Sequence, residues 1–355
     1  MKGNEALAEG AIRAGCTAYF GYPITPQNEI PAYMSLHMLE RGRIFIQAES
    51  EVAAINMVYG ASCAGARAMT SSSSPGISLK QEGISYAAGA DVPCVIANVS
   101  RGGPGLGSIS PAQSDYFQST RGGGHGDYFS IVLAPKNVQE CADFAYEAFD
   151  LADKYRTPVL VLTDGMIGQM MEGVVLPPER DLNELPKRSW VVGHMADSEH
   201  TDGKPRPSRH ITSIHLVPDE LESKTRERFE RYEIIKKNEV RYEEIGCAGA
   251  DITLTAYGTS ARVCQGAKKL AEKEGIKVGF FRPITLWPFP GEALGKIAES
   301  GKPILTVEMS LGQYVEDVRL SVLGRAPVHL LGHSGGVIPT EIEVFERIKN
   351  ILSEK

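Results

Sequence analysis

The chain is poor in the groupings that announce metal or cluster chemistry. Its six cysteines, Cys16, Cys63, Cys94, Cys141, Cys247 and Cys264, are scattered, and no Cys-x-x-Cys pair occurs in the 355 residues. Iron-sulfur and zinc sites draw on closely spaced thiolates, so these thiols are expected to be buried and reduced, and any cluster to sit on another chain. Positive charge is also scarce. With 37 Lys and Arg against 44 Asp and Glu, the net charge is -7, which argues against nucleic acid as the main partner because phosphate neutralisation needs a basic surface. No apolar run is long enough to span a bilayer, and Met1-Lys2-Gly3-Asn4-Glu5 leads into a helix instead of a signal peptide. A membrane partner is therefore not expected, and a cytoplasmic location is. Two phosphate signatures are missing as well: there is no Gly-x-x-x-x-Gly-Lys-Ser loop, and no Gly-Asp-Gly with a downstream Asn to hold a magnesium diphosphate.

What is present is an alternation of apolar, β-branched strands with helical patterns, the mark of parallel βαβ units. Ala18-Tyr19-Phe20, Arg43 to Gln47, Ala66 to Thr70, Val92 to Val99, Ile131 to Leu133 and Val159 to Thr163 read as six strands of a sheet covered on both faces. The segment from Glu51 to Ala64 reads as a helix rich in small residues. From 175 to 245 the prolines Pro177, Pro178, Pro186, Pro205 and Pro207 and a charged helical run, Glu220 to Glu244, predict a connecting segment with few core positions. A second α/β unit follows, with strands at Ile252 to Ala256, Val278 to Phe281, Ile304 to Val307 and Val328 to Leu331 and a closing helix from about Thr340 to Leu352. The expected organisation is thus 1–174, a linker and interface segment at 175–247, and 248–355.

Three strand ends carry chemistry. Gly21-Tyr22-Pro23-Ile24-Thr25-Pro26, Glu49-Ser50-Glu51 and Arg101-Gly102-Gly103-Pro104-Gly105 each follow a strand of the first sheet. Open α/β sheets bind ligands outside the carboxyl ends of their strands, so a hydroxyl, a carboxylate and a guanidinium could converge in one crevice. Pro23 and Pro26 would stiffen the loop that carries Thr25. A glutamate that opens a helix is also favoured simply by the helix dipole, so Glu51 has a structural explanation beside the chemical one. The glycines from Gly102 to Gly107 do not make a dinucleotide fingerprint, because Pro104 and Pro111 stand where its helix would begin.

The Tyr-Pro-Ile-Thr-Pro motif, Glu49 to Gly60, Thr70 to Gly76, Arg101 to Asp127, and the segment from Tyr257-Gly258-Thr259-Ser260 through Arg282-Pro283-Ile284 together resemble the alpha subunit of the 2-oxoacid:ferredoxin oxidoreductases. The resemblance implies an α/β fold of two parallel-sheet domains, a thiamine diphosphate pyrimidine-binding fold followed by a transketolase C-terminal-like fold. It implies oxidative decarboxylation of a 2-oxoacid with coenzyme A, giving acyl-CoA, CO2 and reduced ferredoxin. By the same resemblance Glu51 exchanges a proton with N1′ of the aminopyrimidine, Thr25 and Arg101 bind the 2-oxoacid carboxylate, and Tyr22, Pro23, Ile24 and Ser73 line the cofactor. Glu49 points elsewhere, and Ser71 to Ser74 form a strand-end loop over the pyrimidine. His125 reads as a loop residue, with a proton-transfer role as the alternative.

The missing diphosphate motif and cysteine set imply partners. A beta subunit would carry the Mg2+ and diphosphate half of the site, iron-sulfur clusters would lie on partner subunits, and small ferredoxin-like and gamma subunits and ferredoxin would complete the path. Tyr-Pro-Ile-Thr-Pro-Gln-Asn-Glu and Arg-Gly-Gly-Pro-Gly-Leu-Gly look more like the branched-chain, 2-oxoisovalerate type than the 2-oxoglutarate type, which stays open as the alternative. A non-catalytic scaffold subunit and a Rossmann-type oxidoreductase are the more distant readings.

Overall fold

The computed structural model describes residues 1–185, 188–192 and 210–353, so Pro186, Pro205 and Pro207 lie outside the described residues. Helix and strand alternate through the first part: α1 (Gly3–Arg13), β1 (Ala18–Gly21), α2 (Glu29–Glu40), β2 (Ile44–Gln47), α3 (Glu51–Cys63), β3 (Ala68–Ser72), α4 (Ser74–Gly89), β4 (Cys94–Ser100), α5 (Tyr116–Thr120), β5 (Ile131–Leu133), α6 (Val138–Tyr155), β6 (Pro158–Asp164) and α7 (Gly165–Gln169). A long helix, α8 (Pro218–Asn238), and β7 (Tyr242–Ile245) come next. The second run is β8 (Ile252–Thr255), α9 (Gly258–Lys273), β9 (Val278–Pro283), β10 (Thr285–Trp287), α10 (Gly291–Ala298), β11 (Ile304–Glu308), α11 (Tyr314–Val322), β12 (Val328–Gly332) and α12 (Glu341–Ser353). No helix among the described residues is long and apolar enough to cross a membrane.

Two sheets result, ordered β10-β5-β6-β4-β3-β1-β2 and β12-β11-β8-β9-β7. Each is parallel except for one antiparallel edge strand, β10 in the first and β7 in the second. The central strands β4 and β6 are buried along their whole length, as continuous apolar runs require. Helix α6 buries Val138, Cys141, Ala142, Ala145, Ala148, Phe149 and Ala152, spaced three and four apart, and begins at Asn137, whose side chain accepts the Glu140 N–H. It crosses α1 so closely that a Cβ on Gly10 would stand 2.2 Å from the Ala142 carbonyl oxygen.

Strand order places the functional crevice. From β1 the chain steps outward to β2, then returns so that β3 pairs with β1 on its other side. The reversal leaves an opening at the carboxyl ends of β1 and β3, the place where open α/β sheets take ligands.

Four expectations are corrected. The charged helix stops at Asn238 instead of running to Glu244, because the Glu239 carboxylate turns inward to the Lys154 ammonium (2.8 Å) and the Tyr155 hydroxyl (2.6 Å). Tyr242–Ile245 then leaves as a strand along β9. Helix α8 does carry core positions: Tyr232 and Ile235 are fully buried, and Tyr232 packs edge-on against Phe129 and Trp287. The first sheet is not covered throughout, since Ile44 and Ile46 on its edge strand β2 are exposed. Finally, Ser71 to Ser74 form no loop; β3 passes through Ser73 directly into α4, with Pro75 in the first turn, where a missing N–H costs nothing.

Candidate active site

Each site residue is held by a strand end. At the exit of β1 a Cβ on Gly21 would stand 2.6 Å from the Tyr19 hydroxyl, so glycine is required there. Burial pushes the Tyr19 phenol up and keeps it a donor. It gives its proton to Ser71 Oγ at 2.6 Å, because Ser71 spends its own on Gln27 Oε1 at 2.5 Å. Gln27 Nε2 in turn donates to the Tyr22 carbonyl at 3.2 Å. This buried chain fixes the loop after β1 to β3. On that loop Tyr22, Ile24 and Thr25 are half-buried and Pro23 is exposed.

Glu51 opens α3. Ser50 caps the helix by accepting the Ala53 N–H at 3.2 Å, which leaves Glu51 as the first helical residue, 6% exposed, near the positive end of the dipole. Among the described residues nothing donates a hydrogen bond to its carboxylate. A Cβ on Gly76 would fall 2.7 Å from Glu51 Oε1 and 2.1 Å from Ser72 Oγ, so only glycine lets the start of α4 pack this closely against both groups. The hydroxyls of Thr70, Ser72 and Ser73 are buried with no partner, and Ser73, though it is the N-cap of α4, makes no side-chain cap bond. Glu49 is exposed.

Arg101 follows β4, and its guanidinium grips two loops. Nη1 donates to the Thr25 carbonyl and Nη2 to the Leu106 carbonyl, both at 2.9 Å, while Nε is buried and unpaired. No carboxylate among the described residues pairs with this cation. The Arg101 backbone is tied to the start of α4: its N–H donates to Ser74 Oγ at 2.9 Å, and Ser74 Oγ donates to Asp115 Oδ2 at 2.7 Å. Asn98 Nδ2 reaches the same oxygen at 2.8 Å. Burial raises the Asp115 carboxyl, against the lowering pull of Ser74, Asn98 and Ser100.

Glu51, Thr25, Arg101 and Ser73 therefore gather about one turn, Ser72 to Gly76. His125 does not join them: its carbonyl accepts from Ser85 Oγ, some 11 residues along α4 from Ser74, about 16 Å at 1.5 Å per residue. It lines a separate cavity of about 760 Å³ with Tyr86, Leu221 and Phe229. The glycine loop after Arg101 packs against the second half of the chain, a Cβ on Gly102 falling 2.8 Å from the Gly335 carbonyl carbon. Residues 113–121 do the same. Gln113 bonds the Tyr257 carbonyl (2.8 Å), Ser260 Oγ (2.8 Å) and the Met309 N–H (2.9 Å), and Arg121 pairs with Asp317 at 2.8 Å.

The sequence reading missed Asp115 and Lys80, and placed Ser72 and Gly76 near the pyrimidine without giving either a role of its own. Lys80 had a signal. It falls in line with Ile77, Ile84 and Ala88 at helical spacing, on the face α4 buries.

Comparison with known proteins identifies the family of the chain. Residues 9–241 match the family model described as pyruvate flavodoxin/ferredoxin oxidoreductase, thiamine diphosphate-binding, and residues 250–344 match pyruvate:ferredoxin oxidoreductase core domain II. The ketoisovalerate oxidoreductase subunit VorB of Methanothermobacter marburgensis is 49% identical, over 100% of this chain and 98% of its own length. The 2-oxoglutarate synthase subunit KorA of the same organism is 35% identical, over 98% and 97%. Among solved structures, the 2-oxoglutarate:ferredoxin oxidoreductase of Magnetococcus marinus, with 2-oxoglutarate, coenzyme A and succinyl-CoA bound, is 28% identical with a TM-score of 0.84; the match covers 99% of this chain and 65% of that one. A split-gene transketolase, 14% identical with a TM-score of 0.62, shares the fold. The chain belongs to the thiamine diphosphate-binding family of pyruvate flavodoxin/ferredoxin oxidoreductases.

Proposed function

We propose that this chain is the subunit of a 2-oxoacid:ferredoxin oxidoreductase that holds the pyrimidine half of thiamine diphosphate, and that the complex converts a branched-chain 2-oxoacid, 2-oxoisovalerate, and coenzyme A to acyl-CoA, CO2 and reduced ferredoxin. The observation that carries it is the buried Glu51 carboxylate, with no donor among the described residues, beside the unpaired hydroxyls of Ser72 and Ser73, a close approach that Gly76 permits. An aminopyrimidine fits such a set, because its ring nitrogens and amino group supply the partners these groups lack. When bound, thiamine diphosphate supplies the carbon nucleophile for a 2-oxoacid.

The protein's own part is to position and to move one proton. Glu51 would share a proton with ring N1′, from a buried position at the start of α3. Tyr22, Pro23, Ile24 and Ser73 bound the ring. Arg101, with no carboxylate partner among the described residues, can bind that of a 2-oxoacid, and its grip on the Thr25 carbonyl would hold the Thr25 hydroxyl beside the same group.

The other half of the site belongs, on this reading, to a beta subunit carrying Mg2+ and the diphosphate, with iron-sulfur clusters on small ferredoxin-like and gamma subunits. The thiols here are scattered in the sequence, and burial pushes Cys16 and Cys94 up to about 12. The exposed face of α3, with Val52, Asn56 and Gly60, is the expected contact, and 175–247 the linker between parts 1–174 and 248–355. Such a complex would work in the cytoplasm.

The purified complex, assayed against a panel of 2-oxoacids with coenzyme A and a viologen acceptor, is expected to prefer 2-oxoisovalerate; preference for 2-oxoglutarate would reverse the substrate assignment. Calorimetric titration of the isolated chain with thiamine diphosphate and Mg2+ is expected to show weak binding. Tight, magnesium-dependent binding by the isolated chain would end the half-site reading.

A further inference from the structure

Lys80 is a fully buried lysine that the reaction as described does not use. It lies on α4 between Ile77 and Ile84, and its ammonium, a group with three donors, makes one hydrogen bond, 3.3 Å to the backbone carbonyl of Glu51. A buried cation normally pairs with a carboxylate, yet no ion pair to Lys80 exists among the described residues. What faces it is the first turn of α3, where Glu51 sits.

The surroundings offer no competing charge. Helix α4 packs against α3, β4 and β6. On α3 the ionisable groups are Glu51, Tyr59 and Cys63; on β4, Cys94; on β6, Asp164, which is spent on Thr259 and the Met166 and Ile167 N–H groups. On α4 itself Glu82 accepts from Tyr86, and the nearby Asp115 is spent on Ser74 and Asn98. His125 touches this helix only through its carbonyl, at Ser85. Among the described residues, Glu51 is the one whose charge is felt at Lys80.

We propose that Lys80 is a positioning residue: a buried countercharge that keeps the Glu51 carboxyl ionised and directed at N1′ of the bound aminopyrimidine. The inference rests on the proposed role of Glu51. An ammonium near a carboxylate favours its charged form, so removing the Lys80 charge is expected to leave the proton shared between Glu51 and N1′ more tightly held. Burial lowers Lys80 itself to about 8, so its charge is present through neutral pH and declines above it.

The test follows the protonation of bound thiamine diphosphate, not turnover, in the purified complex, by near-UV circular dichroism across pH. Lys80→Met removes the charge and the donor; Lys80→Gln keeps an N–H for the Glu51 carbonyl and removes only the charge. Both are expected to raise the midpoint by about one pH unit, a tenfold gain in proton affinity, with melting temperature checked beside them. A midpoint at the wild-type value in Lys80→Gln would reduce Lys80 to a structural donor and overturn the proposal, even if Lys80→Met fails to fold. Glu51→Gln in the same titration separates the two ideas. If it leaves the transition intact, the Glu51 reading fails; if it abolishes the transition while the Lys80 variants do not move it, only the countercharge fails.

Discussion

Two buried glutamates, one ending a strand of the second sheet and one opening the helix after a strand of the first, show how the halves of this chain differ. Glu308 ends β11 and is fully buried, and its carboxylate is saturated: it accepts Ser310 Oγ at 2.6 Å, the Tyr314 N–H at 2.8 Å and the Val315 N–H at 3.3 Å. Glu51 follows β2, is nearly as buried, and accepts nothing from the described residues. The arginines divide the same way. Arg282 on β9 pairs with Glu140 and Glu243 and donates to the Ala134 carbonyl at 3.0 Å, whereas Arg101 holds only backbone carbonyls. A protein that satisfies one buried carboxylate and leaves another without donors spends stability on the second, and such sites are where ligands act. The first sheet's carboxyl edge leaves a carboxylate without a donor and a guanidinium without a counterion among the described residues; Glu308 and Arg282 have their partners, Arg282 finding Glu140 and the Ala134 carbonyl in the first half of the chain.

The strongest way to break this comparison is to neutralise the two glutamates. Glu51→Gln is expected to slow C2–H exchange of thiamine diphosphate bound to the complex by about 10²- to 10⁴-fold with the fold intact, the usual loss for a positioned proton-transfer group. An unchanged exchange rate, read by NMR in deuterated buffer, would remove Glu51 from the mechanism. Next in size is the arginine pair. Arg101→Lys cannot hold two loops and a carboxylate at once and should cost roughly 2 to 4 kcal/mol in kcat/KM while cofactor affinity holds. Arg282→Lys should leave kcat/KM alone and lower only the melting temperature. Loss of cofactor with an unaltered substrate constant in Arg101→Lys would reassign that residue.

The same contrast decides what could be read without coordinates. The strands of both sheets stand in the sequence because β-branched runs such as Val159 to Thr163 admit few other structures, and the site loops follow from them, since ligands gather at strand ends. Thr25, Glu51 and Arg101 were legible for that reason. The antiparallel edge strands β7 and β10 were not: Tyr242-Glu243-Glu244-Ile245 is short and polar, reads as more of the preceding charged helix, and becomes a strand only through its distant partner, β9. The supports of the site are equally nonlocal. Asp115 gains meaning from Ser74 and Asn98, and Gly76 from a carboxylate on another helix, pairings no local pattern encodes. Lys80 was visible as a lysine in an apolar stripe, but what it faces required the packing of α4 on α3.

Smaller effects are expected from the saturated glutamate. Glu308→Ala strands a hydroxyl and two backbone N–H groups, and should cost about 2 to 4 kcal/mol of stability by urea unfolding, with C2–H exchange at the wild-type rate. A slowed exchange would show that the second half takes part in the proton transfer and that the division drawn here is false.

The smallest effect is the pH dependence of that same residue. Burial raises the Glu308 carboxyl above its ordinary 4.5, outweighing the pull of Ser310, Tyr314 and Val315, so the folded state holds this proton more tightly than the unfolded chain does. The sign follows: Glu308's contribution is fully present below about pH 4.5 and is lost as pH rises through the raised folded value. Glu308→Gln carries a permanently neutral group in its place and has no such loss. Melting temperatures of the two proteins, measured from pH 4 to 7, should therefore run parallel at the acid end and separate as pH rises, the wild type falling relative to the variant. Each unit of displacement is worth only about 1.4 kcal/mol, which makes this the finest test. A gap that stays constant across the range would mean that the three donors hold Glu308 as a carboxylate at no cost. The saturation that distinguishes it from Glu51 would then be worth more than its burial.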